Sequence, residues 1–399
     1  MATYDTQLFV NPQAAEYRAY GEAERAVLNQ EAFAEAKGEI SSWPGYEPTP
    51  LIGLEGLAEE CGVGGLWCKY EGPRFGIGSF KPTGPTYALL GVLKKEVAKA
   101  TGEEVSSADL VEGSYAEITK DMVMAAATSG NHGRAMAWGA GLFGCRAVLY
   151  MNEGVSKGRE QAIKSYGGEV VRVAGAYDRA VERLHEDAAE RGYFVISDQI
   201  TPDHPQVPRA IMQGYALVAD ELIEQIGMPP THVFVPGGGG ILPGACCGHL
   251  WERYGRERPR VVVVEPTASC CLYESARAGR PITVESAASV MDGLVVEEAS
   301  PESVSLLNAG AFAFLTVPDQ AAVHAMRRAA NPLAGDPAVV IGDTGSAGWA
   351  GFFAALGDEE IRAVLKLDGD SRVALVVTEG ATDPVVYQEI VGRAPEEVA

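Results

Sequence analysis

Residues 231–250 read THVFVPGGGGILPGACCGHL: a short apolar run, four consecutive glycines, and then a helical pattern. An apolar run of this length, bounded by glycine, reads as a buried strand. A simple turn needs one or two glycines, and four cost conformational entropy on folding. Their use is close backbone approach, with successive N–H groups at a helix N-terminus forming a concave set of donors for an anion. The loop suits either the pyrophosphate of a dinucleotide or a lone phosphate. Glu265, near the end of the next apolar run VVVVEP, stands where a ribose-binding acid would. No G-x-G-x-x-G register fits, however, because Leu242 or Pro243 falls where the third glycine should be. A GxxxxGK[ST] loop is absent from the chain. A monophosphate is favoured.

Working outward, short apolar runs alternate with amphipathic stretches from about residue 120. MVMAAAT is followed by NHGRAMAWGAGLFG, RAVLYM by KGREQAIKSYGG, and EVVRVA by YDRAVERLHEDAAERG and YFVISD. A second series runs from PRAIMQGYALVADELIEQIG through the glycine loop to RVVVVEP, and the chain closes with RVALVVT. Strands separated by helices imply βαβ units and parallel pairing. The expected fold is α/β, with two open, twisted, mostly parallel sheets flanked by helices.

Composition narrows the partners. The chain has 399 residues, 47% hydrophobic and 22% charged, enough for two domains with real cores. A formal charge of −22 repels nucleic acid and anionic membrane, so both are excluded as partners. The seven cysteines show no CxxC spacing and no accompanying histidines at zinc-ligand spacing, so no metal site is expected. Their odd number, with adjacent pairs at 246–247 and 270–271, argues against a disulfide framework. Both pairs lie in helical patterns, as small buried filler. MATYDTQLFVNPQAAEYRAY lacks a secretory pattern, and no apolar run reaches the length of a membrane span. The expected compartment is the cytoplasm.

Ligands of open α/β sheets bind at the carboxyl ends of strands. Three further turns there carry unusual residues. IGSFKPTG (77–84) places Lys81 at the mouth of a helix, where the dipole disfavours a cation. TSGNHGR (128–134) places Asn131 at the start of another helix, with Ser129 in the cap region. TEGATDP (378–384) ends a strand with the hydroxyl of Thr378. Each has a bland reading by itself: a snorkelling lysine, a capped helix, a turn threonine. Together they supply an amine for an aldehyde, donors for a phosphate, a partner for a ring oxygen and a hydroxyl for a ring nitrogen. Pyridoxal 5′-phosphate is the cofactor that needs all four.

RFGIGSFKPTGPTYAL, TSGNHGRAMAWGA, IMQGY, VFVPGGGG, VVVVEP, NPLAGDP with GDTGSAG, and TEGATDP span residues 74 to 384. On these stretches the chain resembles the fold type II pyridoxal phosphate enzymes, which include threonine deaminases, threonine synthases and the tryptophan synthase β chain. Within them it is most similar to the diaminopropionate ammonia-lyases. The resemblance implies a large cofactor domain from 1–88 and 206–399, a small domain from 89–205, and a homodimer. It makes Lys81 the Schiff-base lysine, Asn131 the partner of the ring hydroxyl, Gly237, Gly238, Gly239 and Gly240 the phosphate loop, and Thr378 the partner of the pyridine nitrogen. Asp198 matches an active-site acid, and Ser129, Gly130 and His132 belong to the turn that meets the substrate.

Two features depart from the lyase pattern. Ser129 stands where those enzymes usually carry an aspartate immediately before GNHG, and serine there is usual in dehydratases and threonine synthases. The phosphate loop, with Pro236 and four glycines, is also unlike theirs. A pyridine nitrogen met by a hydroxyl rather than a carboxylate favours elimination over transamination. The expected reaction is α,β-elimination of a β-substituted amino acid resembling 2,3-diaminopropionate, giving a 2-oxo acid and ammonia. Lys81 takes the Cα proton and Asp198 protonates the leaving group. A β-replacement synthase or a serine/threonine dehydratase is the alternative, and a nucleotide-binding α/β protein a distant one.

Overall fold

The computed structural model describes residues 2–14, 18–197, 206–333 and 335–398. The chain forms two compact units: Met1–Gln30, Pro48–Phe80 and Ala216–Ala399 in the first, Glu31–Glu47 and Lys81–Tyr215 in the second.

The first unit is built on a seven-stranded sheet. Its spatial order is Gln7–Val10, Ala313–Val317, Arg260–Pro266, His232–Pro236, Arg372–Val377, Gly65–Tyr70 and Leu51–Gly53. The inner pairings are parallel, and the two outermost strands run antiparallel to their neighbours. Strands covered on both faces read as continuous apolar runs, and HVFVP is buried at every position. The helix Ala347–Gly357 packs on this sheet. Its sequence AGWAGFFAALG carries no charge, and ten of its eleven residues are buried. A helix apolar all round is a core helix rather than a half-exposed one. Phe352 and Phe234 meet edge to face at 5.7 Å inside it.

The second unit has a fully parallel four-stranded sheet, ordered Glu169–Val173, Arg146–Asn152, Val123–Ala127 and Phe194–Val195. Every strand expected there is present, although YFVISD contributes only two residues. Sequence alone assigned no strands before residue 120, yet Gln7–Val10, Leu51–Gly53 and Gly65–Tyr70 all join the large sheet. The first two are four and three residues long, too short to show a period.

The expected domain limits and these units differ at 31–47, 81–88 and 206–215. Side-chain contacts account for the first difference. Trp43 packs on Trp138 at 6.2 Å and edge-on to Phe143 at 5.7 Å, while Glu39 pairs with Lys94 at 2.7 Å. The turn of Lys81 packs on the helices Pro85–Thr101 and Asn131–Leu142, both in the second unit. Among the described residues, no helix is long and apolar enough to cross a membrane.

A buried cluster of charges lies within the first unit. Lys69, Glu71, Arg74 and Glu221 are each no more than 2% exposed. Lys69 donates to Glu221 at 2.6 Å, and Arg74 donates to Glu221 at 2.7 Å and to Glu71 at 2.9 Å. The Thr49 hydroxyl donates to Glu71 at 2.6 Å. Such a group is stable only when complete, because removing one member leaves an uncompensated buried charge. Arg74→Met is expected to lower unfolding stability by about 3–5 kcal/mol, measured by chemical denaturation. A loss below about 1 kcal/mol would show that the two carboxylates relax into water instead.

Candidate active site

In the first unit, the strand His232–Pro236 runs into the glycine loop, and the helix Ile241–Tyr254 starts directly after it. Gly237 donates its N–H to the Val264 carbonyl at 2.8 Å. The N–H groups of Gly238, Gly239 and Gly240 have no acceptor among the described residues. Gly238 and Gly240 adopt φ of 67° and 92°, a region that disfavours other residues. A Cβ on Gly237 would collide with Glu265. This is a loop of open donors at a positive helix end, with the geometry of an anion cradle.

Thr378 follows the strand Arg372–Val377 and is 4% exposed. Its Oγ1 is buried and has no hydrogen-bond partner among the described residues. Phe80, in the same unit, donates its N–H to the Thr378 carbonyl at 3.0 Å. The Ser79 backbone forms an antiparallel bridge with Glu379, and its buried hydroxyl also lacks a partner among the described residues. The Glu379 carboxylate accepts from the Thr344 N–H at 3.2 Å and from the Thr382 hydroxyl at 3.1 Å. The unengaged groups at this strand end are neutral hydroxyls.

In the second unit, Lys81–Thr83 forms one 3₁₀ turn before the helix Pro85–Thr101. Asn131 is the first residue of the helix Asn131–Leu142, as the sequence indicates. The cap differs from expectation: Ser129 does not close this helix. Thr128 does, its Oγ1 accepting from the N–H groups of Gly130 and Gly133, both at 3.0 Å. Gly130, at φ 156°, turns the chain so that the hydroxyl two residues back reaches these donors. A threonine closing the strand MVMAAA was a signal available in sequence. Arg159 lies against the turn, with Nη1 3.4 Å from the Ser129 carbonyl. His132 Nε2 lies 3.0 Å from the Ile196 carbonyl, a partner that only accepts, so this nitrogen carries the proton. Ile196 is two residues before Asp198, which lies outside the described residues.

The orphaned Thr378 hydroxyl and the glycine cradle fit the ring nitrogen and phosphate of pyridoxal 5′-phosphate. The comparisons agree. Residues 42–379 match the family model described as pyridoxal-phosphate dependent enzyme. The diaminopropionate ammonia-lyase of Escherichia coli K12 is 33% identical over 367 residues, covering 89% of this chain and 90% of that protein. The chain belongs to the pyridoxal-phosphate dependent enzymes, in the diaminopropionate ammonia-lyase family. The holo crystal structure of the E. coli lyase superposes with a TM-score of 0.88 at 30% identity, covering 98% of this chain and 97% of that one. The same lyase in complex with D-serine gives 0.87 at 30% identity, with the same coverage. The fold is therefore fold type II, and pyridoxal 5′-phosphate is the cofactor of this enzyme.

Glu265 is not available to a ribose. Its carboxylate is fully buried and accepts from the N–H groups of Leu272 at 2.9 Å and Tyr273 at 2.7 Å, at the start of the helix Cys271–Ala278. Burial outweighs those two bonds and pushes its pKa up to about 8. In the unfolded chain a glutamate ionises near 4.5. Between these values the folded state holds a proton that the unfolded state has released, so stability falls as pH rises through that window. Glu265→Gln is expected to flatten the decline of melting temperature between pH 5 and 8. An unchanged slope in the variant would show that other groups produce it.

Proposed function

We propose that this enzyme catalyses α,β-elimination of a β-substituted amino acid of the 2,3-diaminopropionate kind, releasing a 2-oxo acid and ammonia. The observation that carries this reading is the Thr378 hydroxyl, buried without a partner among the described residues and next in sequence to a carboxylate already engaged elsewhere. A neutral partner for the ring nitrogen limits delocalisation and favours loss of a β-substituent over transamination. The bound cofactor supplies an electron sink for the charge that develops at the substrate Cα.

The chain's own residues do the rest. Lys81 would hold the cofactor through its aldehyde, and as a free amine in the substrate complex it would take the Cα proton. The open N–H groups of Gly238, Gly239 and Gly240, with Gly237 setting their approach, meet the phosphate. Asn131 meets the ring hydroxyl. The turn Ser129–Gly130, followed by His132, meets the substrate carboxylate at a helix N-terminus. Asp198 protonates the leaving β-amine, which departs as ammonia, and hydrolysis of the released enamine by water gives the 2-oxo acid and a second ammonia. We place the enzyme in a reducing cytoplasmic compartment, a reading supported by free thiols at all seven cysteines, and as a homodimer, which the family resemblance implies. Ser129 favours a second reading, a hydroxyamino-acid dehydratase acting on serine or threonine by the same elimination.

Borohydride treatment of the yellow holoenzyme, followed by peptide mapping, is expected to leave the pyridoxyl group on Lys81. A label on another lysine overturns the assignment. Lys81→Ala is expected to lower kcat by at least about 10²–10⁴-fold, the usual yield of a positioned base.

Ser129 leads to a stereochemical prediction. A serine hydroxyl has no useful basicity near neutral pH, so Lys81 is the base on one face of the Cα–H bond. The expected outcome is strong preference for L-2,3-diaminopropionate over its D-enantiomer, narrowed by Ser129→Asp. Equal turnover of the two enantiomers by the unaltered enzyme would show that a second base acts on the opposite face.

A further inference from the structure

The motif IMQGY is absorbed by none of the roles above, yet it builds the seat of Lys81. The Nζ of Lys81 lies 5.4 Å from the centre of the Tyr215 ring. That is within the roughly 6 Å reach of a cation–π contact, which strengthens where water is excluded. Tyr215 is 2% exposed. Two glycines enforce the approach. A Cβ on Gly84 would collide with the Tyr215 ring, and one on Gly214 with the Thr83 carbonyl oxygen. The helix Val207–Ile226 thus meets the Lys81 turn at backbone contact, and the residue after Gly214 is driven against it.

We propose that Tyr215 is a positioning residue for Lys81, whose ring face stabilises the cationic amine and so sets the pH at which that amine becomes a base. This rests on the reading of Lys81 as the reacting lysine. The π-face is weakly attractive to the ammonium and offers nothing to the neutral amine, so it raises the amine's basicity without a counter-charge. A carboxylate in its place would hold the lysine protonated and block its use as a base.

Other charged or titratable groups lie on the elements packed against this turn. His132 and Arg134 are on the helix Asn131–Leu142, with His132 held on the Ile196 carbonyl. The helix Pro85–Thr101 carries Tyr87, whose hydroxyl burial keeps protonated, Lys94 paired with Glu39, and Lys95, Glu96 and Lys99. The helix Val207–Ile226 carries Arg209, exposed, ahead of Tyr215, and Asp220, Glu221 and Glu224 beyond it. None of these changes when Tyr215 alone is replaced, so the comparison of variants isolates the ring.

The test uses the full chain in two forms. The cofactor-stripped protein is pulse-labelled with an amine-acylating reagent from pH 7 to 11, and Lys81 occupancy is read by peptide mass spectrometry against Lys95. Tyr215→Leu is expected to move the midpoint of Lys81 labelling down by about one pH unit, a tenfold change in the ionisation constant. Tyr215→Phe, which keeps the ring, is expected to restore it. Tyr215→Met replaces the leucine variant if that one does not fold. In the holoenzyme the acid limb of the kcat profile, which reports the substrate-bound state in which Lys81 is a free amine, is expected to shift by a similar amount. A higher labelling plateau with an unmoved midpoint means that only access has changed, and overturns the proposal. So does a phenylalanine variant that behaves as the leucine one does. Borohydride mapping separates the two claims. A label elsewhere removes the catalytic reading of Lys81, whereas a label on Lys81 with an unmoved midpoint overturns the role of Tyr215 alone.

Discussion

Arg74 lies in the loop that leads to Lys81, and it is 1% exposed. A guanidinium there requires carboxylates on more than one side, and Glu71 and Glu221 provide them, with Lys69 balancing the charge. The cluster ties the strand Gly65–Tyr70 and the loop after it to the helix Val207–Ile226. It also fixes a costly piece of backbone, since Phe75 adopts φ 51°, uncommon for a residue with a side chain. The residues downstream within the first unit inherit this constraint: Ser79 at its bridge and Phe80 on the Thr378 carbonyl. An apolar core would confer stability without direction. A forked cation with two carboxylate partners confers a defined loop path.

Neutrality is the common property of the groups left unengaged on the first-unit strand ends. Thr378 and Ser79 offer hydroxyls, while the nearby carboxylates are committed: Glu379 to the Thr344 N–H and Thr382, Glu265 to a helix start. The second unit follows the same rule, with the neutral hydroxyl of Thr128 closing a helix. Strong charge is kept for Lys81 and for the loop of N–H donors. This division of polar groups suits a cofactor that carries its own phosphate and its own electron sink.

Legibility in sequence followed the range of the interaction. The glycine loop, the Lys81 turn and the Asn131 helix start are local, and each was readable from a few adjacent residues. The parallel core strands were readable because burial on both faces writes a continuous apolar run, as in VFVP and VVVV. The edge strand Leu51–Gly53 was not, because three residues cannot display a period. The placement of 31–47 depends on Trp43 meeting Trp138 and Phe143, contacts between distant residues that no local pattern encodes. Glu265 misleads for the same reason: its position suits a ribose acid, but two N–H groups several residues later claim its oxygens. Tyr215 carries no local signal of its approach to the lysine, which depends on Gly84 and Gly214 in two separate segments.

Burial raises the thiol pKa values of Cys61, Cys68 and Cys145 up to about 12, and raises those of Cys246, Cys247 and Cys271 as well. At neutral pH these sulfurs are almost wholly in the unreactive thiol form, and all but the partly exposed Cys145 are buried by packing as well. An alkylating reagent attacks them chiefly when the surrounding structure opens. Cys145 lies in the second unit, and Cys68, Cys246 and Cys247 lie in the core of the first. The wild-type chain thus carries built-in clocks for local opening, separately readable in its two halves with no added probe.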